Sequence, residues 1–180
     1  IESILQAYPE RRFVFVGDIA DWGAISYHEK SPSLKSAKDE FRQAKKQLKR
    51  WVNRFPNAIW TIGNHDSLTE RQAATAGLIP DVLKSYNELW EVPWKVYPRY
   101  SKVNIDGVLW SHGETGPQGQ GAALKQAVAN FKSTAIGHIH SEAGVGWYAN
   151  GDFRIFGLSC GWGGDQRRLQ FEYGRKFTRK

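Results

Sequence analysis

Ala58-Ile59-Trp60-Thr61-Ile62-Gly63-Asn64-His65-Asp66 is the stretch that orders the rest of this chain. Five residues suited to a covered strand run straight into a glycine and three side chains able to hold a metal or a proton. Three more runs end in the same way. Phe13-Val14-Phe15-Val16 leads into Gly17-Asp18, Val108-Leu109-Trp110 into Ser111-His112-Gly113, and Thr134-Ala135-Ile136 into Gly137-His138-Ile139-His140. Four of the five histidines therefore stand in caps at the carboxyl ends of strands, where open sheets place their sites.

Outward from these strands, the periodicity changes. Ser31-Pro32 predicts an N-cap followed by proline at the first helical position. Leu34, Ala37, Phe41, Ala44, Leu48, Trp51 or Val52, and Phe55 then form one apolar stripe with lysines opposite, until Pro56-Asn57 ends the helix. Residues 1–8 read as the end of a helix closed by Pro9, and residues 18–30 as a loop. Residues 69–76 and 81–90 read as helices, and Pro93 and Pro98 bound a connecting stretch. Asp106-Gly107 between residues 103–105 and 108–110 predicts a hairpin with a type I′ turn, and Asn150-Gly151 predicts another. Residues 116–121 read as a loop, 122–131 as a helix and 169–173 as a last strand. Strand and helix alternate in the first half, and hairpins fill the second. This implies an α/β fold of two mixed sheets packed together with helices outside, in one domain spanning residues 1–180.

Composition narrows the class. At 180 residues, with 41% hydrophobic and 24% charged, the chain has the balance of a globular domain. No apolar run approaches the roughly 18 residues that read as a membrane span, so the expected setting is the cytoplasm with no membrane partner. Cys160 has no second cysteine to pair with and reads as a buried structural thiol. The net charge of +7 is concentrated in Lys45, Lys46, Lys49, Arg50 and Arg54, and in a second group from Arg167 and Arg168 to Arg175, Lys176, Arg179 and Lys180. Two readings stand for these clusters: a solvated helix face and tail, or a track for a phosphate backbone. The chain opens on Ile1 and contains no methionine, so an N-terminal segment is expected to be missing. The C-terminal residues 177–180 carry no terminating pattern.

The caps carry the chemistry as a set. A single His-x-His is common, although residues two apart on an extended segment share a face. Asp18, Asn64, His112 and the His138/His140 pair together offer carboxylate, amide and imidazole donors without a thiolate. That set suits Mn, Fe, Zn or Ni and argues against a structural zinc finger. Asp18 is the one anionic ligand, so it is best placed as a bridge between two metals. One metal would then take Asn64, His112 and one histidine of the pair, leaving the other with Asp18 and the remaining histidine. This deficit predicts an Asp and a His on a strand upstream of residue 1. His65 adjoins Asn64 and can supply a proton or a positive charge to a leaving alkoxide, or be a structural turn residue. Asp66 reads as the group that orients His65, or as an N-cap.

These residues resemble the signature of the calcineurin-like metallophosphoesterases. That family's pattern runs Asp-x-His, Gly-Asp-x-x-Asp, Gly-Asn-His-Asp/Glu, His, Gly-His-x-His. The chain shows Gly17-Asp18-Ile19-Ala20-Asp21, Gly63-Asn64-His65-Asp66, Ser111-His112-Gly113 and Gly137-His138-Ile139-His140, which are four of the five blocks in order. Asp21-Trp22-Gly23-Ala24-Ile25-Ser26 also looks similar to small members found in bacteriophage genomes. The resemblance implies a four-layer α/β/β/α sandwich and two divalent metals, Mn foremost. It makes Asp18 the bridge, gives Asn64, His112 and His138 to one metal, and gives His140 to the other. It makes His65 the transition-state stabiliser or proton donor, assisted by Asp66. The first block is absent, which leaves the second metal half-built, so the chain as it stands is expected to bind one metal well and a second poorly. Trp22 stands where the family's protein serine/threonine phosphatases carry arginine, which argues against that subfamily. Asp66 in place of Glu is more like the phosphodiesterases and nucleases.

Two functions follow as expectations. The first is a phosphoester hydrolase with a dinuclear centre and a metal-bound hydroxide, with phosphodiesters, including nucleic acid, favoured over phosphomonoesters. The second is a catalytically impaired module of the same fold that binds nucleic acid on aromatic faces. Trp22 and Trp162, near the caps, are the candidate stacking residues, and His28 is a candidate substrate contact. Glu114 reads as a surface residue or as a support to the ligands rather than a ligand.

Overall fold

The computed structural model of the protein describes residues 2–8, 11–30, 32 and 34–164. The expected helix stop at Pro9, the N-cap at Ser31, the strand over 169–173 and the basic group from Arg167 to Lys180 lie outside the described residues.

Two sheets form the centre. The smaller has the order β1 (Val14–Phe15), β2 (Ile59–Thr61), β3 (Lys95–Tyr97), and all its pairings are parallel. The larger is mixed, with the order β4 (Val103–Ile105), β5 (Val108–Ser111), β6 (Thr134–Ile136), β8 (Arg154–Cys160), β7 (Ala143–Ala149). In it β5, β6 and β8 run parallel, while β4 and β7 are antiparallel edges. The helices α1 (Glu2–Ala7), α2 (Ala37–Arg54), α3 (Leu68–Thr75), α4 (Tyr86–Trp90) and α5 (Ala122–Ala129) flank the sheets. This is the expected α/β/β/α sandwich.

Burial explains each layer. Phe13 and Phe15 from the β1 segment pack with Phe41, Ala44, Leu48, Val52 and Phe55 of the α2 stripe, around Trp60. Trp60 is fully buried, and Trp22, Trp90 and Trp94 join the same core. Each such ring removes roughly 150–250 Å² from water, so this aromatic cluster supplies much of the driving force on that side. Across the molecule, Ala122 and Ala123 of α5 pack on Ile136 of β6. Gly157 lets α5 approach β8, because a Cβ there would run into the Ala123–Leu124 backbone.

Local differences from the sequence expectation have local causes. The helix starts at Ala37, not after Ser31-Pro32, because Ser36 Oγ accepts the Asp39 N–H at 3.2 Å and caps it there. The expected helix over 81–90 is split. A 3₁₀ turn (Pro80–Val82) is followed by α4, which Ser85 and Glu88 open with a reciprocal capping box. The stretch between Pro93 and Pro98 is not merely connecting; it holds β3, paired with β2 through Ile59↔Lys95 and Thr61↔Tyr97. The Asp106-Gly107 hairpin has its type I′ turn, with φ of +51° and +84°. At Asn150-Gly151 the loop is longer, closing Ala149 against Arg154 with Asn150 N–H donating to the Phe153 carbonyl at 2.8 Å. Cys160 is exposed at the end of β8, because Ile155, Gly157 and Ser159 are the residues that face inward.

Candidate metal centre

Parallel strands point their carboxyl ends the same way, and this gathers the caps. Asp18 follows β1, Asn64 follows β2, His112 follows β5 and His138 follows β6. His112 Nε2 lies 2.8 Å from Asn64 Oδ1, 3.1 Å from His138 Nδ1 and 3.2 Å from Asp18 Oδ2. His138 Nδ1 is 3.0 Å from Asn64 Oδ1. Residues from both sheets, as far apart in the chain as Asp18 and His138, thus meet around one point. Among the described residues, Asp18, His112 and His138 are the His, Cys, Asp or Glu group able to chelate an ion, with donor atoms within 4.8 Å of one another.

Glycine makes the approach possible. A Cβ on Gly63 would collide with Asp18 Oδ1, and one on Gly17 would stand 2.6 Å from His112 Nδ1. The glycines that precede the ligands are therefore spacers between the two sheets. Two of the ligands also hold left-handed backbone, with φ of +56° at Asp18 and +58° at His138. Such a conformation costs a non-glycine residue about 1 kcal/mol or more, so other contacts must hold it.

Asp66 supplies those contacts at Asp18. Its Oδ2 accepts the N–H groups of Asp18 (2.7 Å) and Gly63 (3.0 Å) and the Trp60 indole N–H (3.2 Å), and its Oδ1 accepts Ile19 N–H (2.9 Å). One buried carboxylate therefore ties the β1 cap to the β2 cap and to the aromatic core. The expected role of Asp66, orienting His65, gives way to this one. Nor is it an N-cap, since Ser67 precedes α3. His65 Nδ1 is held instead by the Asp21 carbonyl at 2.8 Å, and His65 N–H donates to Asp18 Oδ1 at 2.9 Å.

The electrostatics suit a cation. Burial opposes charge on Asp18, but its hydrogen bond with His112 and the charges of His112 and His65 outweigh that and hold its carboxyl below the usual range. Burial lowers the His112 pKa, yet the same Asp18 contact wins and raises it. His138 is pushed down to about 4 by burial and by His112, and His140 is lowered chiefly by burial. Both shifts favour the neutral ring, the form that binds metals. Asp66 is raised to about 6 by burial and by Asp18, against the backbone N–H donors of Gly63, Asp18 and Ile19. Its four N–H partners are those a carboxylate accepts.

The donor set fits a divalent ion. His112 Nδ1 lies 2.6 Å from the Val16 carbonyl, so that nitrogen carries the proton and Nε2 faces inward. There Nε2 meets two acceptor oxygens, of Asn64 and Asp18, and the His138 Nδ1, whose role depends on its tautomer. One proton can serve one of these contacts; an ion at the centre would serve all four donors. His140 lies outside this group, its ring 6.4 Å from that of Trp162. It feels the charges of Asp18, His65 and Asp21, so it faces the same rim.

Removal of one ligand gives a first test. His112→Ala should weaken Mn binding by more than the roughly 10–100-fold that an outer partner costs. Calorimetric titration of the metal-free chain measures it. Equal affinity in wild type and variant would exclude the centre described.

Two residues at this rim escaped the sequence reading. Arg99 follows β3, the strand hidden between prolines, and grips Glu114 through Nε (2.9 and 3.1 Å) and Nη2. Glu114 is thereby paired with Arg99, its side chain mostly buried and within electrostatic reach of His138. Asp21 is raised by burial and lies within electrostatic reach of His65, Asp18 and His140. Its place in the Gly-Asp-x-x-Asp block was the signal for it. Trp22, by contrast, is not a stacking surface. It is 5% exposed, with its ring stacked on Phe41 and edged against Trp90. His28 is exposed and Trp162 half-buried.

No protein-family model, curated protein or solved structure matches this chain.

Proposed function

We propose that this protein is a metal-dependent phosphoester hydrolase of the calcineurin-like metallophosphoesterase type, with two divalent ions at work and phosphodiesters favoured over monoesters. The observation that carries the reading is the convergence of Asp18, Asn64, His112 and His138, with His65 tied beside them through both its backbone and its ring. Asn64, His112, His138 and Asp18 would hold one ion, and Asp18 and His140 would face the other. Bound divalent ions, Mn foremost, supply a nucleophile at neutral pH and positive charge for the phosphoryl oxygens.

The chain's own residues do the rest. Asp66 fixes the Asp18 loop so that the carboxylate is placed before any ligand arrives. The Asp21 carbonyl accepts His65 Nδ1–H and orients the ring, whose Nε2 would give a proton to the leaving oxygen. The alternative of a module that binds nucleic acid by stacking loses one of its two tryptophans with the burial of Trp22.

The test measures metal content and then hydrolysis of a chromogenic phosphodiester and a phosphomonoester with added Mn. Turnover of the diester, faster than the monoester, is expected. Metal binding with hydrolysis of neither would overturn the reading.

A further inference from the structure

The basic stretch of α2 cannot feed substrate to this rim. Strands β1 and β2 are parallel neighbours, so the helix joining them runs back toward their amino ends. Its 18 residues span roughly 27 Å, and Lys46, Lys49, Arg50 and Arg54 lie on its later turns, away from the caps. A different cation stands at the site. A cavity of about 140 Å³ adjoins His65 and Asn64, with Tyr27 and His28 on one wall and Leu68 and Arg71 of α3 on the other.

The walls are built in advance. Gln72 donates its side-chain N–H to the Ile25 carbonyl, and Tyr27 Oη lies 2.9 Å from Thr75 Oγ1, so the loop is fastened to α3. The Ser26 hydroxyl accepts His28 N–H at 3.0 Å and shapes the turn between them. The Arg71 guanidinium is carried over the Tyr27 ring, 5.0 Å from its centre. Arg99 differs, because Glu114 already occupies it from both sides of its fork. Arg71 has an aromatic partner where Arg99 has a carboxylate, so its donors are available to an anion.

Size and position then name the occupant. The volume is well short of the roughly 300–1,000 Å³ that encloses a whole small ligand. The cavity can grip one segment of a longer substrate. It adjoins His65, the residue placed at the leaving oxygen, so the segment belongs to the leaving arm. An aromatic face beside an oriented guanidinium matches a nucleobase next to a phosphate.

We propose that this cavity is a leaving-arm subsite for an oligonucleotide, with the base against Tyr27 and the following phosphate on Arg71. The proposal rests on the phosphoester-hydrolase reading for its sense of direction. A dinucleotide with a terminal 3′-phosphate should bind metal-free protein about tenfold more tightly than the same dinucleotide without it. Arg71→Gln should bring the two to parity, and Arg71→Lys should keep part of the difference. Tyr27→Leu should weaken both probes by about fivefold or more. Titration calorimetry in the presence of a chelator reads all of these, with thermal melting to confirm folding. No preference in wild type, or a preference untouched by Arg71→Gln, would overturn the proposal. The metal-loaded chain, assayed on the same two probes, separates this from the parent reading. Arg71-dependent binding without any hydrolysis would remove the hydrolase and leave the subsite; hydrolysis indifferent to Arg71 would do the reverse.

Discussion

Asp66→Ala should destabilise the protein by at least about 3 kcal/mol, measured by urea unfolding of the metal-free chain. The side chain is 1% exposed, and its two oxygens accept four N–H groups, from Asp18, Ile19, Gly63 and the Trp60 indole. Alanine leaves these donors without that acceptor. A buried donor without a partner costs about 1–3 kcal/mol, and water entering the vacated space would recover only part of the sum. Asp66→Asn is the sharper variant. Asn retains one oxygen, which can replace Oδ2 and keep three donors, but its NH₂ then faces the Ile19 N–H. The loss should therefore be smaller than in alanine but not zero. Because the Asp18 N–H is among the donors, both variants should also weaken Mn binding. A stability change under about 1 kcal/mol for Asp66→Ala would show that the latch is not holding the two caps together.

This residue also shows where sequence reasoning stops. Asp66 is adjacent to His65, and adjacency made them partners on paper. In the fold its carboxylate turns to a loop 47 and 48 positions away. The direction of a side chain in a turn is set by tertiary packing, which one strand–cap pattern does not encode. Trp22 fails for a related reason: its left-handed backbone, φ of +52°, carries the ring into the core between Phe41 and Trp90. The caps themselves were legible, because apolar runs ending in a metal-capable residue beside a glycine recur four times and strand parallelism then brings the ends together. The α2 stripe and the Asp106-Gly107 turn were legible too, since both are local patterns. Strand β3 was not. Three residues between prolines carry no periodicity, and Lys95–Tyr97 is a strand only because β2 pairs with it. Missing β3 meant missing Arg99 at its end. The capping box that splits residues 81–90 was visible as Ser85 and Glu88, but the helical reading ran across it.

His65→Ala should reduce kcat by roughly 10²–10⁴-fold on an ester with an alkyl leaving group, with Mn content unchanged. Metal content should survive because the His65 contact to Asp18 is made by the backbone N–H, which alanine keeps. The loss on kcat should instead depend on the leaving group. An alkoxide needs a proton as the P–O bond breaks, and the ring, with Nδ1 on the Asp21 carbonyl, offers Nε2 for it. A p-nitrophenolate leaves without that help, so the same variant should lose far less on p-nitrophenyl esters. This contrast separates proton donation from a supporting role. If His65 only shaped the Asp18 loop, the variant would slow alkyl and aryl esters alike and would lose Mn as well. If it only stabilised charge on the phosphoryl oxygens, both esters would slow alike with Mn retained. Only a proton donor makes the penalty grow with the basicity of the departing oxygen, and a series of aryl and alkyl diesters measured on wild type and His65→Ala reads that slope directly.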